Sequence, residues 1–449
     1  MGVKVAKFGG TSLADAEQFL KVRSIVLSDE ERRYVVPSAP GRRQPDDQKI
    51  TDLLYLCHTL AEHSVSFDEI FAIIEERYLG IVEALEIDLD LKPELESIKA
   101  QIASGASADY AASRGEYLSG LILAHLLRFD FVDPVEFIVF THRGEFDSEA
   151  TQEKAVQVLS RHSRAVIPGF YGARPDGSIK TFSRGGSDIT GAIVARGVSA
   201  SLYENWTDVS GFLMADPRIV DNPLPIEQIT YRELRELSYM GANVLHEDAI
   251  FPVRKAGIPI NIKNTNAPQD KGTLIVKDVG PPTQMGTITG IAGRKDFTVI
   301  AVEKALMNAE LGFGRRLLSI LEDNGISFEH MPTGIDTISV VISDAQLNGR
   351  LDRVLASIRN KLSPDLIEVH PNMALIATVG RGMARTPGVA AKLFAALADA
   401  GVNVRMIDQG SSEINIIVGV ETEDFEVAVR AIYDAFVRAR SSADAGLAG

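Results

Sequence analysis

The chain contains a single cysteine, Cys57, among its 449 residues. One thiol excludes an internal disulfide framework and a cysteine-rich metal site, and such usage is typical of a reducing compartment. No apolar run approaches the roughly 18 residues that a membrane-spanning helix needs. The chain opens with a strand pattern instead of a secretory leader. We therefore expect a cytoplasmic protein with no membrane partner.

Positive charge is also in short supply. Lys and Arg total 46 against 61 Asp and Glu, which leaves a formal net charge of −15. A surface of this sign repels nucleic acid, so no nucleic-acid partner is expected. Any phosphate-bearing ligand must be bound by local positive charge.

Two common nucleotide-binding motifs are missing. The sequence has no Gly-Lys-Ser or Gly-Lys-Thr, which excludes a P-loop. Gly312-Phe313-Gly314 begins a dinucleotide-binding fingerprint, but Leu317 stands where the third glycine is required. A phosphate ligand would need another kind of glycine-rich turn.

Such a turn follows a short apolar strand at the N-terminus, in Lys7-Phe8-Gly9-Gly10-Thr11-Ser12. Two glycines let backbone amides approach an anion, while Lys7 and the N-terminus of the next helix add positive charge. Ser12 is predicted to cap that helix, with Asp15 at the spacing of a capping box. An ordinary strand-to-helix turn is the alternative for this motif alone.

Up to residue 280, β-rich runs alternate with helical patterns. This alternation predicts an α/β fold in which a mostly parallel sheet is sandwiched by helices. The predicted strands cover residues 3–8, 34–36, 137–140, 165–167, 201–205 and 258–262. Residues 67–125 hold no comparable strand and are predicted to form a helical lobe. Gly280-Pro281-Pro282 interrupts the pattern and marks a predicted domain boundary.

The last third of the chain contains an internal repeat with a constant offset of 76 residues. The recurring residues are Gly312, Leu317, Leu321, Gly325, Ile326, Ile338 and Val340, which return as Gly388, Leu393, Leu397, Gly401, Val402, Ile414 and Ile416. Each copy is predicted to be an α+β ferredoxin-like module with a four-stranded antiparallel sheet, including a strand at 327–331 in the first copy. The second copy lacks a final strand, which residues 287–292 would supply by crossing over. The predicted domains are residues 1–280, 286–370 and 371–440, followed by a disordered tail at 441–449.

Three further segments carry polar groups suited to a small charged substrate. Ser183-Arg184-Gly185-Gly186-Ser187-Asp188 is a second glycine-rich loop, and its arginine can clasp a carboxylate. Trp206-Thr207-Asp208, with Asp216-Pro217-Arg218 beyond it, follows a strand at the position where a nucleotide would be read. Glu116 places a carboxylate in the helical lobe. The alternatives are a helix cap for Asp188, a turn for Thr207 and Asp208, and a solvated helix face for Glu116.

Together these motifs resemble those of the aspartate kinases, over nearly the whole chain. The resemblance rests on the N-terminal turn, the second glycine-rich loop, the two segments after Trp206 and the tandem repeat. It implies an amino-acid-kinase fold followed by two ACT domains, which are small amino-acid-sensing modules. It also implies transfer of the γ-phosphoryl group of MgATP to the side chain of L-aspartate, the first step toward lysine, threonine and methionine.

The resemblance implies a role for each matching residue. Lys7 and Asp188 would be catalytic, because Lys7 would stabilise charge on the transferred group and Asp188 would orient Lys7. Aspartate would contact Ser38, Thr51, Glu116 and Arg184. ATP would contact Lys7, Gly9, Gly10, Ser12, Thr207, Asp208, Phe212 and Arg218. Magnesium would be held mainly by phosphate oxygens, since no cage of carboxylates is evident.

The family binds an inhibitory amino acid in the first copy of the repeat. The matching residues are Met307, Glu310, Gly312, Phe313, Gly314, Phe328 and Glu329. Lysine is expected ahead of threonine, because Glu310, Glu329 and Asp336 can accept an ε-ammonium group. Solvated surface charges are the alternative. A homodimer or homotetramer built through these domains is also implied.

The sequence departs from the family at a few positions. Asn243 stands where many relatives carry a lysine that contacts ATP, which puts that contact in doubt. Pro40, Arg42 and Arg43 alter the loop after Ser38. His246 is expected to have a structural role.

Two other functions remain open. One is another amino-acid kinase, such as glutamate 5-kinase or acetylglutamate kinase, although neither accounts for the tandem repeat. The other is a catalytically silent amino-acid sensor, against which the retention of Lys7, Arg184 and Asp188 argues.

Overall fold

The computed structural model describes residues 2–183, 185–242, 247–278 and 287–438, except for the side chains of 247–251. The chain divides into two compact units that are not continuous stretches of sequence. The first unit comprises Met1–Phe212, Pro225–Tyr231 and Asn243–Val279, and the second comprises Leu213–Leu224, Arg232–Ala242 and Gly280–Gly449. The sequence predicted a single break at 280–282, and that segment and the predicted tail at 441–449 lie outside the described residues. The structure differs from a continuous 1–280 domain, because residues 213–224 and 232–242 pack within the second unit.

The first unit is built on one large sheet. Its strands are β1 (Lys4–Phe8), β2 (Arg32–Pro37), β3 (Asp130–Phe131), β4 (Ala165–Val166), β7 (Leu202–Thr207), β8 (Gln228–Thr230), β9 (Ile260–Asn264) and β10 (Thr273–Val276), while β5 (Tyr171–Ala173) and β6 (Ile179–Thr181) form a separate hairpin. The order is β3-β4-β2-β1-β7-β9-β10-β8. Neighbours from β3 to β9 pair in parallel, β10 runs antiparallel to β9, and β8 pairs in parallel with β10. The predicted, mostly parallel sheet is confirmed.

Helices cover both faces of this sheet. They are α1 (Ala16–Leu27), α2 (Ile50–Glu62), α3 (Asp68–Ala84), α4 (Lys92–Ala103), α5 (Ala108–Leu127), α6 (Ser148–Leu159), α7 (Gly186–Gly197) and α9 (Glu247–Ala256), whereas α8 (Tyr231–Tyr239) belongs almost entirely to the second unit. Ala6 and Phe8 of β1 share a core with α1 to α5, and Lys7 between them faces α7. Helices α3 to α5 confirm the predicted lobe. None of the helices in the described ranges is long and apolar enough to cross a membrane.

Two details of the strand prediction differ from the structure. Residues 137–140 form isolated bridges at Val139 and Phe140 instead of a strand. The backbone amide of Val139 donates to the Thr151 hydroxyl at 2.9 Å, so a side chain takes the place of a ladder partner. The short strands β3, β8 and β10 were not predicted, because two to four residues carry little periodicity.

The second unit contains one antiparallel sheet shared by both copies of the repeat. Its strands are β11 (Gly290–Glu303), β12 (Thr337–Ser343), β13 (Leu366–Val379), β14 (Met406–Asp408) and β15 (Asn415–Glu421), in the order β12-β11-β13-β15-β14. Residues 299–303 of β11 pair with 366–370 of β13, and residues 290–294 pair with 375–379. Residues 290–294 thus lie beside the second copy, which is the crossover considered for 287–292. The sheet is therefore continuous, whereas the sequence suggested two separate four-stranded sheets.

Helices pack on this sheet in two cores. They are α10 (Phe313–Asp323), α11 (Asp344–Leu347), α12 (Leu351–Leu362), α13 (Val389–Asp399) and α14 (Phe425–Tyr433). One core joins α10 and α12 to the first copy, and the other joins α13 and α14 to the second. Ala215 and Val220 are buried in the second core, which explains why 213–224 belongs to this unit. The strand predicted at 327–331 is reduced to isolated bridges at His330 and Thr333, since the intervening Pro332 has no amide to donate.

Candidate active site

Three neighbouring strands, β2, β1 and β7, end at the same edge of the first sheet. Phe8 of β1 is in register with Pro37 of β2 and Trp206 of β7. Gly9 donates its amide to the Trp206 carbonyl at 2.9 Å, and Ser38 donates its amide to the Phe8 carbonyl at 3.0 Å. Ligands of parallel sheets collect at such carboxyl ends. The predicted residues that follow these strands are therefore brought together.

Lys7 forms a buried ion pair at this edge. It is 7% exposed, and its Nζ lies 2.5 Å from Oδ1 of Asp188. Asn205 donates from Nδ2 to the same Asp188 oxygen at 2.9 Å and accepts a longer bond from Lys7 at 3.4 Å. A Cβ added to Gly9 would lie 3.7 Å from the Lys7 nitrogen, so the ammonium group sits beside the glycine turn.

Asp188 occupies the first turn of α7, where the helix dipole favours a negative charge. The helix is preceded by Gly185, whose φ of 61° is in the left-handed region. Asn205 is the last residue of the strand predicted at 201–205, but it received no predicted role. Its place at the carboxyl end of that strand was the signal in the sequence, and the structure adds its register opposite Lys7 in the β1–β7 pair.

The Gly9–Gly10 turn packs so tightly against the loop after β2 that only glycine fits at positions 10 and 41. A Cβ on Gly10 would lie 2.9 Å from the Ala39 carbonyl oxygen, and one on Gly41 would lie 2.6 Å from the carbonyl carbon of Gly10. The Gly41 amide donates to the Gly10 carbonyl at 2.8 Å. The loop that carries Ser38 is thereby joined to the turn at two glycines.

Ser12 does not cap the following helix, so that prediction is wrong. Residues Gly10–Leu13 form a short 3-10 helix, and α1 begins only at Ala16, where Asp15 accepts from the Gln18 amide at 3.0 Å. The extra turn moves Ser12 into the interior. Its hydroxyl instead shares a 2.7 Å hydrogen bond with the hydroxyl of Thr265, just beyond β9.

Glu116 lies inside the protein, contrary to the alternative of a solvated helix face. It is 5% exposed on α5, and its Oε2 has no hydrogen-bond partner within the described ranges. A Cβ on the neighbouring Gly115 would lie 2.7 Å from Cβ of Ala39, so this part of α5 closely approaches the Ser38 loop. Burial raises the pKa of Glu116 to about 8. The carboxyl group is therefore mostly neutral at neutral pH and would ionise beside a cation.

Asp109 anchors the approach to the second glycine-rich loop and was missed by the sequence analysis. It accepts from the Thr181 amide at 3.2 Å, from the Thr181 hydroxyl at 2.5 Å and from Lys180 at 3.0 Å. Nothing in the sequence links residues 72 positions apart. Arg184 itself lies outside the described residues, as do Asn243 and His246.

The other predicted contacts are divided between the two units. Thr51 is the second residue of α2, and Thr207 donates its hydroxyl to Asp208 at 3.2 Å at the end of β7. Phe212 is buried, and its amide donates to the Thr273 hydroxyl at 2.7 Å. Arg218 belongs to the second unit, where its side chain is 87% exposed and pairs with Asp216.

The predicted effector residues form two groups in the first copy of the repeat. Residues 307–314 follow the end of β11, whereas Phe328 and Glu329 follow α10, where the Glu329 amide donates to the Val341 carbonyl in β12 at 2.8 Å. Met307 and Phe313 are buried, whereas Phe328 is 39% exposed. Gly312 precedes α10 with a φ of 76°. A Cβ added to Gly314 would meet no atom within 4 Å, so there is open space beside the start of this helix.

The three carboxylates of this region have different partners. Glu310 pairs with Lys304 at 2.7 Å and with Arg316, and the Lys304 ammonium lowers the pKa of Glu310. Asp336 accepts the Leu306 amide at 2.9 Å. Glu329 accepts from the hydroxyl of Tyr239, whose pKa is raised to about 12 by burial and by Glu329. Among the described residues, Glu329 therefore has a neutral hydroxyl, and no ion pair, as its side-chain partner.

Known protein families match both the N-terminal and the C-terminal part of the chain. The amino acid kinase family model matches residues 2–264, and an ACT domain model matches residues 376–436. Aspartokinase 3 of Bacillus subtilis is 37% identical over 449 residues, which span 97% of this chain and 98% of that protein.

Solved structures show the same similarity. The aspartate kinase of Clostridium acetobutylicum is 59% identical with a TM-score of 0.91, covering 97% of this chain and 100% of the other. E. coli aspartokinase III in complex with aspartate and ADP is 28% identical with a TM-score of 0.72, covering 96% and 99%. The same enzyme in complex with lysine and aspartate is 27% identical with a TM-score of 0.74, covering 97% and 99%.

Proposed function

The chain belongs to the aspartokinase family and is an ATP-dependent kinase with aspartate as acceptor, and we propose that Lys7, Asp188 and Asn205 form its phosphoryl-transfer centre. The observation that carries this proposal is the buried Lys7–Asp188 pair beside the Gly9–Gly10 turn. A fixed ammonium group beside a glycine turn stabilises the charge that develops on a transferred phosphoryl group. Asp188 and Asn205 hold this ammonium group in place.

The acceptor needs no general base. A side-chain carboxylate is ionised at neutral pH, so its oxygen can attack the γ-phosphorus directly as the bond to the ADP oxygen breaks. The products are 4-phospho-L-aspartate and ADP. What the protein contributes is the alignment of two anions and the compensation of their charge.

Glu116 is the proposed partner of the substrate ammonium group. Its unpartnered Oε2 and raised pKa describe a carboxyl group that is mostly neutral at neutral pH and that a nearby cation would bring into its charged form. Ser38, on the loop after β2, and Thr51, on α2, are proposed as further contacts with aspartate. Arg184 is proposed to bind the α-carboxylate through two parallel hydrogen bonds.

ATP is proposed to bind along the ends of β1 and β7. Gly9, Gly10 and Lys7 would contact its phosphates, with Ser12, Thr207, Asp208, Phe212 and Arg218 as further contacts. Within the described ranges, no group of three or more His, Cys, Asp or Glu side chains is arranged to hold a metal ion. Magnesium is therefore proposed to be held mainly by the ATP phosphates, with their oxygens as the hard ligands that it prefers.

Lysine is the proposed effector, and Glu329 its ε-ammonium acceptor. Glu310 is already compensated by Lys304 and Arg316, whereas Glu329 receives only a neutral hydroxyl. E. coli aspartokinase III has been crystallised with lysine. Met307, Gly312, Phe313, Gly314 and Phe328 are proposed to surround the rest of the ligand, in a homodimer or larger assembly.

The test is release of ADP from ATP with L-aspartate, L-glutamate or N-acetyl-L-glutamate as acceptor, each with and without lysine or threonine. We expect turnover with aspartate alone and inhibition by lysine. Turnover with glutamate or acetylglutamate and not with aspartate would refute aspartate as the acceptor. Activity that responds to threonine and not to lysine would refute the effector.

A further inference from the structure

Arg77 is buried at the junction of three segments, outside the site described so far. It lies on α3, is 6% exposed, and belongs to none of the motifs found in the sequence. Its Nη2 donates to both carboxylate oxygens of Asp47, at 2.9 and 2.7 Å. Its Nη1 donates to the Gly41 carbonyl at 3.3 Å and to the Ala14 carbonyl at 3.4 Å.

These acceptors belong to the segments that carry the proposed contacts with aspartate and the phosphates. Gly41 and Asp47 lie on the Ser38–Thr51 loop, by which we mean the connection between β2 and α2 together with the first two residues of α2. Ala14 directly follows the short helix that contains Gly10. Because the Gly41 amide also donates to Gly10, the Arg77 guanidinium and one backbone bond together join the loop, the turn and the helical lobe.

We propose that Arg77, through Asp47 and the Gly41 carbonyl, is a positioning residue that sets the Ser38–Thr51 loop against the Gly9–Gly10 turn and so aligns aspartate with the transferred phosphoryl group. The inference rests on the proposed function of that loop and turn. Arg77 itself touches no substrate. Lysine cannot replace it, because an ammonium group cannot reach two carboxylate oxygens and two carbonyls in one plane.

Asp47 is well suited to this role across the usual pH range of an assay. Besides Arg77, it accepts from the Arg43 side chain at 2.9 Å and from the Arg43 amide at 3.0 Å. Arg43, assisted by the charge of Arg77, holds the pKa of Asp47 well below its ordinary value. The effect of losing Arg77 should therefore not change between pH 6 and pH 8, unlike that of Glu116.

The chain provides a matched control in Arg32. Arg32 also forms a two-bond pair with a buried carboxylate, Glu204, at 2.7 and 3.1 Å, and also donates to a backbone carbonyl, that of Ile25, at 2.6 Å. It stands at the start of β2, in register with Lys4 at the opposite end of β1 from the glycine turn. Arg32→Lys should therefore cost comparable stability without changing the site.

The experiment measures kcat and both KM values for wild type, Arg77→Lys, Asp47→Asn and Arg32→Lys, alongside unfolding in urea. A displacement on the order of 1 Å at a reacting centre costs about 100-fold, so we expect kcat/KM for aspartate to fall by about 10- to 100-fold in the two site variants. The KM for aspartate should rise more than the KM for ATP, because the ATP contacts proposed on β7 do not depend on Arg77. Arg32→Lys should leave both KM values unchanged.

A purely structural role would reduce the active fraction, which lowers kcat and leaves both KM values as they were. That pattern, or equal behaviour of Arg77→Lys and Arg32→Lys, would overturn the inference. If Arg77→Lys does not fold, Asp47→Asn tests the inference instead. In Asp47→Asn, Arg77 is still present and keeps its hydrogen bonds to the Ala14 and Gly41 carbonyls, so this variant should be more stable. If wild type releases no ADP with aspartate, the proposed function has failed, which is a different outcome.

Discussion

The two units hold their charged groups in opposite ways. In the first unit, the side chains of Lys7 and Asp188 are only 9% and 15% exposed, and they meet each other and Asn205. In the second, Glu310, on the loop between β11 and α10, and its partner Arg316, on α10, are 34% and 30% exposed. Phosphoryl transfer gains from a field that is fixed before the substrate arrives, because no reorganisation is then needed during the reaction. A regulatory ligand must instead enter and leave.

The two copies of the repeat sharpen this contrast. At the 76-residue offset, Glu310, Glu329 and Asp336 of the first copy correspond to Thr386, Arg405 and Ser412 of the second. Arg405 is itself paired with Glu421. At these three positions the first copy therefore carries carboxylates, whereas the second copy carries neutral or basic side chains. A cationic effector that binds through these positions would find its acceptor in the first copy.

The largest effect is expected from a change in the first unit that lowers activity and leaves lysine binding unchanged. Lys7→Met removes the charge beside the glycine turn, and we expect kcat to fall by about 10³-fold, as for loss of one transition-state donor. Lysine binding, measured by calorimetry, should be unchanged. Lys4→Met is the control on the same strand, since Lys4 pairs with Asp29 at the other end of β1. Loss of lysine binding in Lys7→Met would contradict this expectation.

A second prediction concerns Glu116 within the first unit. Glu116→Gln keeps the shape of the side chain but cannot pair with an ammonium group. A hydrogen bond to a charged group contributes about 1.5–3 kcal/mol, so the KM for aspartate should rise by about 10- to 100-fold while the KM for ATP is unchanged. Steady-state kinetics with either substrate varied check this. An unchanged KM for aspartate would remove Glu116 from the substrate site.

The same carboxyl group predicts a pH dependence. Below its pKa of about 8, Glu116 must lose a proton to bind the substrate cation, so the KM for aspartate should fall as pH rises from 6 to 8 and then level off. In wild type, this group favours the folded state at low pH, and its contribution is lost as pH rises from the unfolded pKa toward 8. Glu116→Gln should abolish both trends, which pH-dependent kinetics and urea unfolding would show.

A third prediction concerns the second unit. Glu329→Gln should raise the lysine concentration for half inhibition by about 10- to 100-fold, because the ε-ammonium loses a charged acceptor. Arg405→Gln, at the equivalent position of the second copy, should not alter inhibition. Inhibition curves at fixed aspartate and ATP measure both variants. Equal effects would mean that the two copies share the effector.

The smallest effect is expected from Tyr239. Its hydroxyl donates a hydrogen bond to the Glu329 carboxylate, so a ligand that binds this carboxylate must displace the hydroxyl. Tyr239→Phe removes the competitor, and a net bond of about 0.5–1.5 kcal/mol corresponds to a two- to tenfold gain in lysine affinity. Calorimetric titration measures it. Weaker binding would show that Tyr239 helps to form the site instead of competing for it.

Local patterns predicted the strand ends and the parts of the site that follow them. The run from Lys7 to Gly10 has a strand, a turn and a charge within a few residues, and the structure places them as expected. The helix start at Ser12 was wrong, because an intervening 3-10 turn has no distinct periodicity and moves the cap to Asp15. The residue at which a helix begins depends on the conformation of a single turn of backbone, and amino-acid composition does not predict that conformation.

Long-range partners could not be predicted. Arg77 and Asp47 are 30 residues apart, and Asp109 and Thr181 are 72 apart, so nothing local joins them. The same is true of Ala215 and Val220, which read as part of the first domain and are buried in the core of the second unit. Apolar residues in a sequence show that a segment is buried, but they do not show which other segment it packs against.

The shared pair of strands β11 and β13 has a mechanical consequence. Each has 14 residues, or about 45 Å of extended chain. Sliding one past the other by a residue would turn every side chain to the wrong face. The ladder is irregular only near its middle, between Arg294 and Val299, where Asp296 has a φ of 70°. The ladder therefore has two regular parts, in which residues 290–294 pair with 375–379 and residues 299–303 pair with 366–370. We expect the strand pair to bend at the irregularity between these parts and to keep its register on either side.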